Sequence, residues 1–280
     1  IFITLGTGVG GAAVIDRKIF LGGDGNAMEP GHVPSRDGKV LERNVGKKEL
    51  LQLATEMRAN FKGKTVLADD GIHVNWPAST QGGGWWAEPA PKSRNTNYQK
   101  EKEEIMDFFT LAEVYAKGAK SVEDLRLEAM KACFDGTKRV YFHADGMQQI
   151  LDIIEFVEKF HLKYPVIIGG YEAHMVGQRL KDAKIPVMLN RVHMLPEREE
   201  DDVNLPYAMP ALLQKQGILF CLQNAGDMEA MNARNLPFQA GTAMAYGLSE
   251  EEALQSISLN ACKILGIDKE YGSIEPGKRS

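Results

Sequence analysis

Near the start of the chain, the run Leu5-Gly6-Thr7-Gly8-Val9-Gly10-Gly11 has the composition of an anion cradle. Glycines let backbone N–H groups approach a phosphate closely, and the Thr7 hydroxyl adds a donor. The same run also suits a glycine hairpin with no ligand. Further along, His143 ends the apolar run Arg139–Phe142, and His193 follows the run Pro186–Leu189. His174 lies four residues beyond Gly170, and Asp227 shortly after Ile218–Leu222. Each could instead be a structural or solvated side chain. The acidic run Glu197–Asp202 reads as a solvated loop, and no His-x-His occurs anywhere in the chain.

The elements that would position these residues change character along the sequence. Residues 1–25 read as a β-hairpin: Ile1–Leu5 is β-prone, Gly6–Gly11 forms the turn, and Ala12–Ile15 and Ile19–Leu21 continue as strands. Residues 22–46 are rich in Gly, Pro and Asn, and Lys47–Phe61 has helical spacing. Gly71–Gly84 carries no clear period, so a boundary is placed near residue 76, giving segments 1–75 and 76–280. From residue 98 helices alternate with strands. Helices are expected over Tyr98–Lys117, Val122–Phe134 and Met147–Phe160. Strands are expected at Arg139–Phe142, Pro165–Ile168, Pro186–Leu189 and Ile218–Leu222. Such alternation predicts parallel βα units of the α/β class, in a barrel or an open sheet. Ser249 and Glu252 stand in capping-box spacing, and Gly266 is placed to stop the last helix.

Composition narrows the function classes. The chain has 280 residues, 44% hydrophobic and 25% charged, with a net charge of −5. There is no basic footprint for nucleic acid and no apolar run of the roughly 18–20 residues that a membrane helix needs. The three cysteines, Cys133, Cys221 and Cys262, are far apart and fit reduced thiols in a cytoplasmic protein. No signal peptide is evident. Starting inside a strand pattern and stopping without a terminal element, the chain is expected to be cut at both ends.

Two resemblances follow from these strings. The glycine run, with Gly22-Gly23-Asp24-Gly25-Asn26-Ala27-Met28-Glu29-Pro30-Gly31-His32, resembles the ROK family of glucokinase-like sugar kinases and repressors over about residues 1–65. That resemblance implies a β-rich, actin-like ATPase segment. Gly6, Thr7, Gly8, Gly10 and Gly11 would hold the phosphates of ATP with Mg²⁺, and Glu29 and His32 would contact sugar hydroxyls. The family's catalytic Asp would lie upstream of Ile1, and no cysteine precedes Cys133, so neither phosphoryl transfer nor zinc at His32 is expected.

Over residues 76–280 the chain resembles the imidazolonepropionase-like metal-dependent hydrolases of the amidohydrolase superfamily. The strings are Arg139-Val140-Tyr141-Phe142-His143-Ala144-Asp145, Arg234-Asn235-Leu236-Pro237-Phe238-Gln239-Ala240-Gly241-Thr242-Ala243, Leu259-Asn260-Ala261-Cys262-Lys263-Ile264-Leu265-Gly266 and Gly272-Ser273-Ile274-Glu275-Pro276-Gly277-Lys278. The resemblance implies the C-terminal half of a (β/α)₈ TIM-type barrel, with its site at the C-terminal strand ends. It implies a divalent metal, zinc by resemblance, activating water against an amide-like C–N bond of a small molecule.

His143 would be the strand-five metal ligand and Asp227 the strand-eight catalytic acid. Strand six reads Ile167-Ile168-Gly169-Gly170-Tyr171 where the family has His, leaving His174 as a substitute and His193 as a further contact to substrate or metal. With the N-terminal ligands missing, the activity is expected to be impaired. A partial ROK-type kinase and a non-catalytic fragment or fusion are the alternatives, and open barrel edges would favour a homodimer.

Overall fold

The computed structural model describes residues 2–5, 9–12, 14–15, 18–19, 70–85, 88–118, 124–198, 200–224 and 229–279. The chain divides into two units, residues 1–67 and 68–280. In the first, β1 (Phe2–Leu5) pairs antiparallel with β2 (Val9–Ala12), with Phe2 opposite Ala12 and Leu5 opposite Val9. A second antiparallel pair is β3 (Val14–Ile15) with β4 (Lys18–Ile19), Val14 opposite Ile19 and Ile15 opposite Lys18. Part of the turn expected over Gly6–Gly11 is therefore strand, since Val9–Gly11 belong to β2. β-branched Val9 already belongs to a strand, and Gly10 and Gly11 sit in it opposite Thr4 and Ile3.

The second unit is built on a five-stranded parallel sheet. Its strands are β5 (Gly71–Asn75), β8 (Arg139–Ala144), β9 (Pro165–Gly169), β10 (Val187–Leu189) and β11 (Phe220–Leu222), and each pairs with the next in chain order. The four apolar runs are thus parallel strands. The fifth, β5, joins β8 in register from Gly71 opposite Arg139 to Asn75 opposite His143. It lies in the stretch that showed no period, ahead of the boundary placed at residue 76. Between β5 and the first helix, β6 (Thr80–Trp85) and β7 (Glu88–Arg94) form an antiparallel hairpin with a bulge between Gln81 and Gly83.

Helices α1 (Tyr98–Ala116), α2 (Leu125–Asp135) and α3 (Met147–Phe160) lie close to the expected spans. The Asp124 carboxylate caps α2 by accepting from the Arg126 N–H at 2.9 Å. After α4 (Gly177–Asp182) and α5 (Leu205–Gln216) come α6 (Leu236–Ala245), α7 (Glu250–Ser256) and α8 (Leu259–Leu265). The Ser249–Glu252 capping box opens α7, and Gly266, at φ +67°, ends α8. No helix among the described residues is long and apolar enough to cross a membrane.

Strand side chains alternate between the two faces, and the faces are filled differently. Val74, Val140, Phe142, Ile167, Val187, Leu189, Phe220 and Leu222 join the helices in one large core. Inside it Phe109, Phe142, Phe156 and Phe160 pack ring against ring, with centroids 4.6–5.7 Å apart. The opposite face carries a small cluster of Tyr141, Val166 and Cys221, covered by Ile264 with Ala261 and Leu265. These last three belong to α8. The Arg139 guanidinium holds that helix, its Nε–H donating to the Ile264 carbonyl at 2.7 Å. In a closed (β/α)₈ barrel that face would look inward, whereas here α8 lies across it.

Candidate functional site

Beyond the reach of α8, the inner face ends in polar side chains at the C-terminal tips of the strands. Asn75 and His143 stand at one level on β5 and β8, and Asn190 and Gln223 follow β10 and β11. They line a cavity of about 710 Å³ with Asp145, Gln149, Tyr171 and Glu172. His143 Nε2 lies 2.9 Å from His73 Nδ1, so one ring donates and the other accepts. Burial, and then the neighbouring His73, hold His143 below the ordinary imidazole range.

His73 is positioned by what stands behind it. Its ring stacks on Tyr141 with centroids 4.8 Å apart and planes 17° from parallel. The Tyr141 hydroxyl donates to Asp70, whose other oxygen pairs with Arg139 at 2.7 Å. Burial first, then the bond to Asp70, push the Tyr141 hydroxyl well above its ordinary range, so it remains a donor.

Strand six lacks a histidine for a backbone reason. Gly169 and Gly170 have φ of +107° and +73°, and a Cβ on Gly169 would stand 2.5 Å from Asp145 Oδ1. The chain there wraps around Asp145, whose carbonyl accepts from the Glu172 N–H at 2.8 Å and whose Oδ1 accepts from the Tyr171 N–H at 3.4 Å. A side chain at either glycine would be strained; at Gly169 it would press on that carboxylate, and at Gly170 on the Val187 side chain.

The far wall comes from residues 171–201. Buried Glu172 accepts from the Met147 N–H at 2.6 Å, at the start of α3, and pairs with Arg198. The Tyr171 hydroxyl donates to Asp201 at 2.7 Å and accepts from the Glu197 N–H at 3.0 Å. Burial and the Asp201 bond leave that hydroxyl pushed up to about 12. Asp201 and the Glu197 N–H thus tie this stretch to Tyr171, while the Glu197, Glu200 and Asp202 side chains are exposed, as expected of a solvated loop.

Of the residues singled out in the sequence, His143 is at the cavity. His193 is exposed, with Nε2 2.8 Å from the Thr242 hydroxyl, and is not among the cavity's lining residues. His174 sits in a short 3₁₀ turn, Ala173–Val176, and is likewise outside the lining. Once Gly169–Gly170 has turned the chain, that segment packs near α5, where the His174 carbonyl accepts from Gln216. Asp227, Gly6, Thr7, Gly8, Glu29 and His32 lie outside the described residues.

Sequence reading missed His73 and Asp145. The alternation Ile72-His73-Val74 was the signal for the first, and adjacency in His143-Ala144-Asp145 for the second.

Two imidazoles on one tetrahedral zinc stand roughly 3.3 Å apart when each Zn–N bond is about 2.0–2.1 Å. The His73–His143 separation of 2.9 Å is near that. A catalytic zinc, however, takes three protein ligands. Among the described residues no three His, Cys, Asp or Glu side chains converge in that way. The described residues thus fit two ligands of a metal centre and not a complete one.

A family model described as "Amidohydrolase family" matches residues 87–280, and a "ROK family" model matches residues 1–47. Among solved structures, an amidohydrolase from Thermotoga maritima MSB8 is 31% identical with a TM-score of 0.57. That match covers 65% of this chain and 49% of the other, so the chain spans about half of that protein's length. A prolidase complexed with N-methylphosphonate-L-proline is 18% identical with a TM-score of 0.39, covering 54% of this chain and 38% of that one. E. coli guanine deaminase is 17% identical with a TM-score of 0.33, covering 51% and 36%. No curated protein matches the chain.

Proposed function

Because the chain belongs to the amidohydrolase family over residues 87–280, we propose that its second unit carries part of a hydrolase site acting on amide-like C–N bonds of small molecules. The observation that supports this most is His143, near the end of β8 and 2.9 Å from His73, lining a cavity of about 710 Å³ together with side-chain amides and carboxylates. Pockets of roughly 300–1,000 Å³ suit small-molecule substrates. Family members use a divalent metal, which would supply Lewis acidity and an activated water.

The roles of this chain's own groups follow from their surroundings. Burial and His73 favour the neutral form of His143, whose Nε2 is engaged with His73 Nδ1. Asn75, Asn190 and Gln223 line the space in which an amide substrate would be oriented by hydrogen bonds. Glu172 is fully committed to Met147 and Arg198 and holds the wall rather than moving protons.

With two imidazoles among the described residues, we propose that zinc binds this chain no tighter than micromolar and that turnover by the chain alone is not measurable. Titration calorimetry with zinc, and hydrolysis of a panel of N-acyl amino acids with zinc present, test both statements. Stoichiometric zinc retained through dialysis against chelator, and lost in His143→Ala, would overturn the incomplete-centre reading. Measurable hydrolysis abolished by His143→Ala would do the same for the impaired turnover.

A further inference from the structure

The parallel strands have a second cavity at their other ends. It measures about 410 Å³ and lies where β8, β9 and β10 begin, between the ends of α4, α5 and α8. Its accessible apolar lining is Tyr164, Pro186 and Leu219, set over Val166, Leu180, Ile185 and Ile218, which are buried in the core. Five cationic side chains line it, Arg139, Lys163, Lys181, Lys184 and Lys263, and no acidic one does. In a chain with more acidic than basic residues, that segregation is one-sided. Four residues of extended β8 separate Arg139 from His143, about 13 Å, so this is not an extension of the histidine cavity.

Two ordinary explanations account for part of that charge. Arg139 is occupied by Asp70 and the Ile264 carbonyl, and Lys163 donates to the Asp135 carbonyl at 3.0 Å. Lysines at helix C-termini also offset the negative end of the helix dipole. Each dipole end, however, amounts to roughly half a charge at most, and α4 and α8 are short. Among the described residues Lys181, Lys184 and Lys263 make no ion pair. Three ammonium groups against about one and a half opposing charges leave the cavity positive.

We propose that this cavity binds a small organic phosphate, with its apolar body against Tyr164, Pro186 and Leu219 and its dianionic head among Lys181, Lys184 and Lys263. Lysine ammonium groups act as point charges toward a phosphate, and three of them match its three free oxygens. The Tyr164 ring, with the Arg139 guanidinium 5.7 Å from its centroid, adds a flat wall. The combination selects against inorganic phosphate, which leaves the apolar wall wet, and against a neutral alcohol, which leaves the ammonium groups unanswered.

Calorimetric titration of the full chain at low salt with hexyl phosphate, inorganic phosphate and hexanol tests this. Hexyl phosphate is expected to saturate at a concentration at least about tenfold below inorganic phosphate, and hexanol not to saturate. In the combined variant Lys181→Gln, Lys184→Gln, Lys263→Gln the hexyl phosphate affinity should fall by at least about tenfold. His143→Ala should leave it unchanged. Each lysine is exposed, so the fold should survive, and circular dichroism checks that; if the combined variant unfolds, Lys184→Gln alone must still weaken binding. Equal binding by the lysine variants, loss of binding in His143→Ala, or no saturation by hexyl phosphate at millimolar concentration would overturn the proposal.

Discussion

The two faces of the five-stranded sheet are made from alternate residues of the same strands, yet they are built for different ends. On the outer face Val140, Phe142 and Ile167 meet three long helices and a set of stacked phenylalanines. The inner face puts Tyr141, Val166 and Cys221 against one seven-residue helix and leaves its upper end, with His143, polar. Large apolar side chains can be interlocked only where nothing else is required of the surface. Where imidazoles and amides must stay reachable, the packing stops short. Stability is therefore concentrated on one side of the sheet and reactivity on the other.

The largest test of that contrast is a pair of truncations. Phe156, at 2% exposure, touches Phe109, Phe142 and Phe160. Phe156→Ala should cost about 3–5 kcal/mol in urea unfolding, as for other large buried aromatics. Ile264→Ala, on the inner face, should cost about 2 kcal/mol, at the low end for its type, because its cluster is small. Equal losses would mean that the two faces share the load.

A smaller effect concerns pH. In the folded chain His143 is held below its ordinary value of 6.5, so below that value the unfolded chain takes up the proton more readily. Its contribution to stability is therefore complete above pH 6.5 and is lost as the pH falls through the lowered folded value. With chelator present, the urea midpoint should drop between pH 7.5 and pH 5.5, and the drop should shrink in His143→Gln. A variant with the parent's full pH dependence would place the titrating group elsewhere.

The smallest effect leaves stability untouched and reads the cover on the inner face directly. Burial pushes the Cys133 thiol, on the outer side, up to about 11 and the Cys221 thiol, under α8, up to about 12. Cys262 is only partly buried. A thiol reagent at pH 8 should label Cys262 in the native chain and the other two only in denaturant. Native labelling of Cys221 would mean that α8 does not stay on that face.

The strands β8 to β11 were legible because each is a short apolar run between helical stretches, and burial on both faces imposes that pattern. Strand β5 was not, because its inner face carries His73 and Asn75 and only Ile72 and Val74 mark the outer one. The site was half legible for the same reason. His143 ends a recognisable run, whereas its partner His73 lies 70 residues away on a strand with no run to end. Nor could local pattern place α8, since Ile264 and Leu265 would suit an outer helix equally well. What sets its position is Arg139, which is 125 residues distant in sequence from Ile264.

That distance governs how the chain must be born. A ribosome adds about 5–20 residues per second, so the 43 residues from Leu222 to Leu265 take roughly 2–9 s to appear. Throughout that interval the last strand has been made while the segment that shelters Val166 and Cys221 has not. A nascent chain paused there displays a sticky, half-covered sheet, and it is in this window that chaperone capture and mispairing compete with arrival of α8.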